Sequence, residues 1–144
     1  MRERRLRAAI AALAIAGAGI AAYLAYTRYS GDRILCATGG CETVQRSSYA
    51  EVAGVPVAVL GLAAYLAILA TALAPGVTAA ALGAALALGG VAFSAYLLVV
   101  QLAVIDAVCQ WCVASDVVIA LLAVVTGVRL RVSSGTPAAV REST

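Results

Sequence analysis

The longest charge-free stretch of the sequence limits what this chain can fold into. None of the 54 residues from Val52 to Ile105 is charged. A soluble protein of 144 residues could not hide such a stretch in one core, whereas an apolar run of roughly 18 or more residues is the length of one membrane-spanning helix. The whole chain is 64% hydrophobic and 12% charged, against about a quarter charged residues in soluble proteins. The sequence therefore predicts an integral membrane protein.

Apolar segments divide this chain into helices. We predict spans at 8–26, 57–74, 77–105 and 108–128. The first is expected to be a retained helix, because its 19 residues exceed the roughly 7–15 of a signal-peptide core. The prediction is an all-α membrane protein, a bundle of four transmembrane helices. Residues 1–128 would form the membrane domain with an outer loop at 27–56, and residues 129–144 would form a short polar cytoplasmic tail.

The arginines favour one orientation of this bundle. Seven lie towards the two termini, at positions 2, 4, 5, 7, 129, 131 and 141, and three lie in the outer loop, at 28, 33 and 46. Because positive charge favours the cytoplasmic side, we expect both termini in the cytoplasm of a multi-pass plasma-membrane protein. The outer loop and the junction at 106–112 would then face the extracytoplasmic side. The inverted orientation stays open.

The outer loop contains a candidate for a short helix, from Cys41 to Val52. Within it Cys41, Val44, Gln45, Ser48 and Val52 are spaced to share one face. A short amphipathic helix at the membrane surface would cap the bundle on the extracytoplasmic side. An ordinary surface loop with one helical turn is the alternative.

All four cysteines fall in the two segments predicted to face outward. They form two pairs, Cys36/Cys41 and Cys109/Cys112. Two cysteines at i and i+3 share a helix face, and a helix N-terminus stabilises the thiolate that acts in thiol–disulfide exchange. Two dithiols facing one compartment indicate a protein that passes electron pairs between thiols.

Other interpretations of the cysteines stay open from the residues alone. Two structural disulfides would be stable in an oxidising compartment, and four thiolates are a known zinc ligand set. The first alternative would make the protein a non-enzymatic membrane assembly subunit. We favour the redox interpretation, and we expect no metal and no nucleic-acid partner. Asp116, an ionisable group about one turn into the last span, is a further functional candidate.

Two stretches of the sequence resemble the prokaryotic homologues of vitamin K epoxide reductase. One runs from Cys41 through Ser47 and Gly54-Val-Pro56 to Tyr65, and the other from Tyr96 to Cys112. Together they extend the resemblance over about residues 6–128. The order of cysteine pair, serine, Gly-x-Pro and CxxC is similar to this family and unlike the DsbB family, which does the same job with a different pattern.

The resemblance implies a mechanism. A thioredoxin-like (DsbA-like) protein would exchange disulfides with Cys36, and Cys41 would pass electrons to Cys109. Cys112 would then reduce a membrane quinone of the ubiquinone or menaquinone type, so that the protein generates disulfides for extracytoplasmic proteins. Because 129–144 has no room for a fused domain, we expect this partner to be a separate protein.

The resemblance also implies a quinone pocket near the outer surface. The residues that would line it are Ser47, Val57, Leu60, Ala64, Leu97 and Gln101. Two positions depart from the vertebrate enzymes, since this chain has Asp116 where they have a tyrosine and Val57 where they have an asparagine. Both positions are associated with the quinone carbonyls there, so vitamin K epoxide is not the expected substrate.

Overall fold

Helices make up most of residues 2–135, the part of the chain that the computed structural model describes. The α-helices are α1 (Arg2–Ser30), α2 (Cys41–Gln45), α3 (Val57–Leu73), α4 (Val77–Val99) and α5 (Gln110–Ser134). A 3-10 helix at Ser48–Ala50, the strands β1 (Glu51–Val52) and β2 (Val55–Pro56), and a π-helical turn at Val100–Ile105 complete the fold. The strands are antiparallel and pair Val52 with Val55.

The four long helices run alternately up and down. α1 packs against α3 and α5, and α4 packs against α5 and α3. Arg7 of α1 and Arg129 of α5 both contact the last turn of α3, so we name this the arginine end. The opposite end carries α2 and all four cysteines, and we name it the thiol end. The chain order thus brings two cysteine pairs, far apart in sequence, to the same end of one bundle.

Small residues allow the helices to approach closely. A Cβ atom at Gly90 would lie 2.8 Å from Ile119, and one at Gly17 would collide with the ring of Tyr65. Close backbone approach is the main packing device where lipid removes the hydrophobic drive between helices. The central cluster of buried residues consists of Ile10, Ala14, Ala21, Tyr65, Ile68, Ala72, Ala87, Ile119 and Leu122.

Within residues 2–135, three helical segments are long and apolar enough to cross a membrane. They are Arg2–Ser30, Val77–Ile105 and Gln110–Ser134, and α3 is a shorter apolar helix of 17 residues. The prediction of an all-α membrane protein is confirmed. Four crossings and the side of the membrane that each end faces stay predictions.

The last helix differs from its predicted span. The charge of Arg129 ended the apolar segment at 128, whereas α5 continues to Ser134. Arg129 is 1% exposed, because its guanidinium donates to Glu3 and to two carbonyls of α3. The predicted tail boundary therefore falls inside a helix, and positions 136–144 of the tail lie outside the described residues.

The predicted loop helix is shorter than expected. α2 ends at Gln45, and the chain continues as a separate 3-10 turn and then as β1. Ser47 interrupts the helix, since its backbone is extended and its hydroxyl donates to the carbonyl of Val44 at 2.7 Å. Serine side chains compete in this way with helical hydrogen bonds. A single face through Val52 is therefore wrong, and Val52 is 46% exposed.

Candidate functional site

The CxxC segment begins α5. Cys109 is the N-cap residue, and its sulfur accepts a hydrogen bond from the backbone N–H of Cys112 at 3.3 Å. Both cysteines are free thiols, and the Cys112 thiol donates to the Cys109 sulfur with the two Sγ atoms 2.6 Å apart. A disulfide bond measures about 2.05 Å, so a short movement separates this dithiol from its oxidised form.

The surroundings of Cys109 lower its pKa. It lies in the junction between the π-helical turn and α5, outside both long helices. Hydrogen bonds from the Cys112 thiol, and then from the Cys112 backbone, lower the pKa of Cys109 below the ordinary thiol value. Burial acts in the opposite direction and is outweighed. Cys109 is therefore suited to leave as a thiolate from a disulfide, since a thiol of lower pKa leaves faster.

The loop pair is oxidised. Cys36 and Cys41 form a disulfide, with their Cα atoms 6.0 Å apart. Cys41 is fully buried and packs in one cluster with Cys109 and Val44. Cys36 is half-buried, beside Leu35, which is 75% exposed. Only the Cys36 side of this disulfide is open to another protein, and in this state the four sulfurs cannot act together as zinc ligands.

Gln101 determines where α5 starts. Its side chain is 2% exposed, and its Oε1 accepts the backbone N–H of Cys109 at 2.9 Å. The backbone carbonyl of Gln101 accepts the N–H of Ala107 at 3.1 Å, and this bond closes the π-helical turn. The turn ends at Asp106, whose backbone is left-handed with φ 56°. These bonds replace regular helical bonds, so the chain turns sharply and presents Cys109 to the loop.

The Cys36 loop is fastened to the CxxC segment by polar contacts. Trp111 Nε1 donates to the carbonyl of Leu35 at 2.5 Å, Ala37 N–H donates to Gln110 Oε1 at 2.9 Å, and Thr38 Oγ1 donates to the carbonyl of Val108 at 2.8 Å. The hydroxyl oxygen of Tyr23 in α1 accepts a hydrogen bond from Leu35 N–H at 3.0 Å. The Tyr23 ring also contacts that of Trp111, with 5.2 Å between the ring centroids. The loop is thus held directly over its redox neighbour.

Gly40 allows the closest approach between the two segments. A Cβ atom at this position would lie 2.5 Å from the carbonyl oxygen of Val108 and 2.7 Å from its nitrogen. Both are backbone atoms, so a side chain there would push the segments apart. The glycine directly before Cys41 therefore keeps that cysteine against Cys109.

A cavity lies beneath the loop, between α1, α3, α4 and α5. It contains about 1000 Å³ of space, part of it open to the surroundings. Of the two CxxC residues, it is Cys112 that lines the cavity. The structure also brings together on its walls all the residues predicted for a quinone pocket, namely Ser47, Val57, Leu60, Ala64, Leu97 and Gln101. Their role in binding stays a prediction.

The cavity is mostly apolar with a few polar groups, the usual composition of a small-molecule site. Tyr65 donates its hydroxyl hydrogen to the carbonyl of Ser115 at 2.9 Å, and Ser47 donates to a carbonyl within its own turn. Asp116 is different. Among residues 2–135, its Oδ2 is the one buried side-chain oxygen or nitrogen that has no hydrogen-bond partner.

Gln45 is a site residue that the sequence did not single out. Its Nε2 lies 3.1 Å from the Cys112 sulfur and 3.9 Å from the Cys109 sulfur. A signal was present, because Gln45 follows Cys41 by four residues and shares its helical face. The contact itself joins residues 67 positions apart, which periodicity cannot reveal.

Fold and site together define the class: an all-helical membrane protein with two adjacent dithiols above an apolar cavity. Residues 8–127 match the model of the vitamin K epoxide reductase family. The chain belongs to this family, and the resemblance seen in the sequence is confirmed. Family members are oxidoreductases and are generally linked to a quinone, so membership indicates a membrane thiol oxidoreductase.

Proposed function

We propose that this protein is a quinone-dependent thiol–disulfide oxidoreductase. It takes electrons from a separate thioredoxin-like protein through Cys36/Cys41 and Cys109/Cys112, and so generates disulfides for extracytoplasmic proteins. One observation carries the proposal. The cysteines are graded by position, with Cys36 at the surface, Cys41 and Cys109 buried in one cluster, and Cys112 on the cavity wall.

The first step is disulfide exchange with the partner. A partner thiolate attacks the Cys36 sulfur, the Cys36–Cys41 bond breaks, and Cys41 leaves as a thiolate. The second partner thiol then attacks the partner sulfur of the mixed disulfide, which releases Cys36 and leaves the partner oxidised. The direction of attack follows from exposure, since Cys41 is 0% exposed and no protein-sized nucleophile reaches it.

The second step transfers the electron pair to the CxxC dithiol. The Cys41 thiolate attacks Cys109 of an oxidised CxxC pair, a Cys41–Cys109 bond forms, and Cys112 leaves as a thiolate. Cys36 then attacks Cys41, restoring the loop disulfide and releasing Cys109. The products are an oxidised loop and a reduced CxxC pair, which is the combination that the structure contains.

The cavity fits a quinone on its chemistry. Its walls are largely apolar, as a lipid-soluble ring requires, and the unpaired Asp116 oxygen offers one polar contact. Val57, Leu60, Ala64 and Leu97 would surround the ring, and Ser47 and Gln101 would lie at its thiol end. A bound quinone supplies a two-electron, two-proton acceptor for the dithiol. Cys109 and Cys112 lose two electrons and two protons and return to the disulfide.

The same proposal includes the membrane arrangement. α1, α3, α4 and α5 would cross the membrane, α2 would cap the cavity, and the thiol end would face the extracytoplasmic side. The arginine distribution supports this orientation. A compartment-sensitive reporter fused at the C-terminus tests it, and an extracytoplasmic signal would overturn it.

The decisive experiment couples the two ends of the relay. Purified protein in detergent or lipid receives a reduced thioredoxin-like protein and a short-chain quinone, and quinone absorbance is followed together with partner oxidation. We expect equal molar amounts of quinol and partner disulfide. Cys112→Ser should abolish quinone reduction. A partner that lacks its second cysteine should accumulate as a mixed disulfide with Cys36 of the unaltered protein, whereas Cys41→Ala, which cannot form the loop disulfide, should leave the partner reduced. If the unaltered protein reduces no quinone, the proposed function is wrong, and a structural role for the disulfides would remain.

A further inference from the structure

We propose that Gln45 is a positioning residue that directs negative charge onto Cys112, the sulfur on the cavity wall. This inference rests on the proposed function and names a residue that the relay above does not use. The Gln45 amide nitrogen lies 3.1 Å from the Cys112 sulfur and farther, 3.9 Å, from the Cys109 sulfur. The amide therefore favours one sulfur of the pair.

The position of Gln45 is fixed from its other side. The backbone carbonyl of Gln45 accepts a hydrogen bond from Arg28 Nη1 at 2.6 Å, and Arg28 also forms an ion pair with Glu51. These bonds tie α2 to the end of α1 and to β1. A side chain with an anchored backbone loses less entropy when its amide is aimed at a partner. Gln45 is thus held in place independently of the sulfurs.

Gln45 also separates two different environments. It lines the apolar cavity, and it lines a second, polar cavity of about 590 Å³ together with Arg28, Glu42 and Arg46. Within residues 2–135 it is the one charged or amide side chain that lines both cavities. The Gln45 amide therefore lies beside the Cys112 sulfur, where a negative charge on that sulfur would otherwise face only the apolar cavity.

The chemistry gives this contact a purpose. When Cys41 attacks Cys109, the Cys109–Cys112 bond breaks and Cys112 takes the electron pair. The resulting thiolate faces a low-dielectric cavity, where an unpaired charge is costly and a hydrogen bond to it is strong. Cys109 has its own donors in the thiol and backbone N–H of Cys112. Gln45 supplies the donor that Cys112 needs.

The test measures the reduction potential of the Cys109–Cys112 pair in glutathione buffers, with each cysteine followed by alkylation and peptide mapping. In Gln45→Leu we expect the equilibrium constant for reduction to fall about tenfold, which corresponds to a midpoint about 30 mV lower. The reason is that the amide donates to the sulfurs of the reduced pair, most closely to Cys112, whereas the sulfurs of a disulfide are weaker acceptors. Gln45→Glu, of the same shape but with an acceptor in place of the donor, should shift the midpoint in the same direction.

A control variant separates this effect from a general disturbance of α2. Glu42→Leu changes a half-buried polar residue of the same helix that lines the second cavity but not the cavity that contains Cys112. We expect the equilibrium constant for reduction in Glu42→Leu to stay within about twofold of that of the unaltered protein. Equal shifts in Gln45→Leu and Glu42→Leu, or no shift in Gln45→Leu, would overturn the proposal.

The pH dependence of quinone reduction provides a second readout. In Gln45→Leu the acidic limb of the rate profile should move about one pH unit upwards, and the rate should recover at alkaline pH. An identical profile would contradict the inference. The potential is measured without quinone or partner, so a failed quinone assay bears on the proposed function alone.

Discussion

The two ends of the bundle bury polar groups in opposite ways. At the arginine end, Arg7 donates to the carbonyls of Ala72 and Leu73 at 2.7 and 2.6 Å, and Arg129 donates to those of Thr71 and Ala74, both at 2.7 Å. A helix leaves its last four carbonyls without intrahelical partners. The two guanidinium groups thus pair the carbonyls of residues 71–74, and the carbonyl of Ala70 accepts the backbone N–H of Ala74.

At the thiol end the polar contacts reach across weakly attached segments. The Cys36 loop is held by a few hydrogen bonds, and the reacting sulfurs receive hydrogen bonds from Gln45 and from one another. One oxygen of Asp116 has no partner there. At the first end the buried polar contacts close a helix terminus, and at the second end they surround the sulfurs that would react. The difference indicates that stability and chemistry are separated along the bundle axis, and four predictions test that separation.

The largest expected effect is at the arginine end. Arg129→Met keeps most of the buried stem but removes the donor to the carbonyls of Thr71 and Ala74, and it leaves Glu3 with the Ser133 hydroxyl in place of an ion pair. We expect a loss of about 3 kcal/mol in the free energy of unfolding, the lower end of the range for a broken buried pair, because the Glu3 side chain remains 36% exposed. Denaturant titration in detergent measures this. The protein that remains folded should keep its Cys109–Cys112 potential.

Arg131→Met serves as the control for that substitution. Arg131 is exposed on the same helix, so its replacement should change stability by about 0.5 kcal/mol or less. Equal losses for the two arginines, or an altered potential in folded Arg129→Met protein, would show that the ends are not independent.

Gly40→Ala is expected to act at the thiol end. The new methyl group would overlap the backbone of Val108, and overpacking of this kind costs about 1–3 kcal/mol. Because the cost falls on the contact between Cys41 and Cys109, the transfer of electrons from loop to CxxC should slow at least about tenfold. Rapid quenching and alkylation of the pre-oxidised protein, after mixing with a reduced partner, measures the rate. Gly127→Ala, with open space around it in α5, should leave the rate unchanged.

Asp116→Leu should separate stability from activity. Removing a buried oxygen that lacks a partner should leave the free energy of unfolding unchanged or raise it by about 1 kcal/mol. Quinone reduction should fall, because the cavity loses its unpaired polar group. Asp116→Asn keeps the shape and serves as the comparison. A variant that is less stable yet fully active would assign Asp116 a structural role.

The smallest effect concerns pH. Because the pKa of Cys109 is lowered, this thiol is ionised at a lower pH than an ordinary cysteine. In the reverse of the second step, where the Cys109 thiolate attacks Cys41 of the loop disulfide, the rate should therefore stay high at neutral pH and decline only on further acidification. By the same linkage, the reduced protein gains stability as pH rises towards the ordinary thiol range and loses it as pH falls through the lowered value. Exchange rates across pH, compared with a model cysteine peptide, test this sign.

The sequence predicts the positions of the reactive cysteines better than it predicts the residues that contact them. Spacing placed Cys109 and Cys112 at a helix start, and alternating spans brought both pairs to one end. The contacts of Gln45 and Gln101 with those cysteines depend on tertiary folding, and no period or composition encodes them. The predicted cavity residues all line the cavity because the resemblance supplied their positions. Their apolar side chains carry no signal that distinguishes them from other residues of the helices.

At the arginine end, sequence patterns failed to predict how a charged residue is buried. A hydropathy profile treats Arg129 as an unpaired charge and therefore ends the last span before it. Such a profile cannot detect the ion pair with Glu3, because Glu3 lies 126 residues away in sequence. Local patterns likewise favoured one loop helix where serine hydrogen bonds divide it. The partner of Arg129 is distant in sequence, whereas that of Ser47 is the carbonyl of Val44 three residues before it, a local bond that helical periodicity does not take into account.

The capped end of α3 has a consequence for the surrounding lipid. Its 17 residues rise only about 25 Å, less than the roughly 30 Å thickness of a typical hydrocarbon layer. With α3 as a crossing, the guanidinium groups of Arg7 and Arg129 would draw the polar boundary inwards on that side of the bundle. Such a hydrophobic mismatch favours a thinner bilayer. Acyl-chain length would then tune the stability of the protein independently of its thiols.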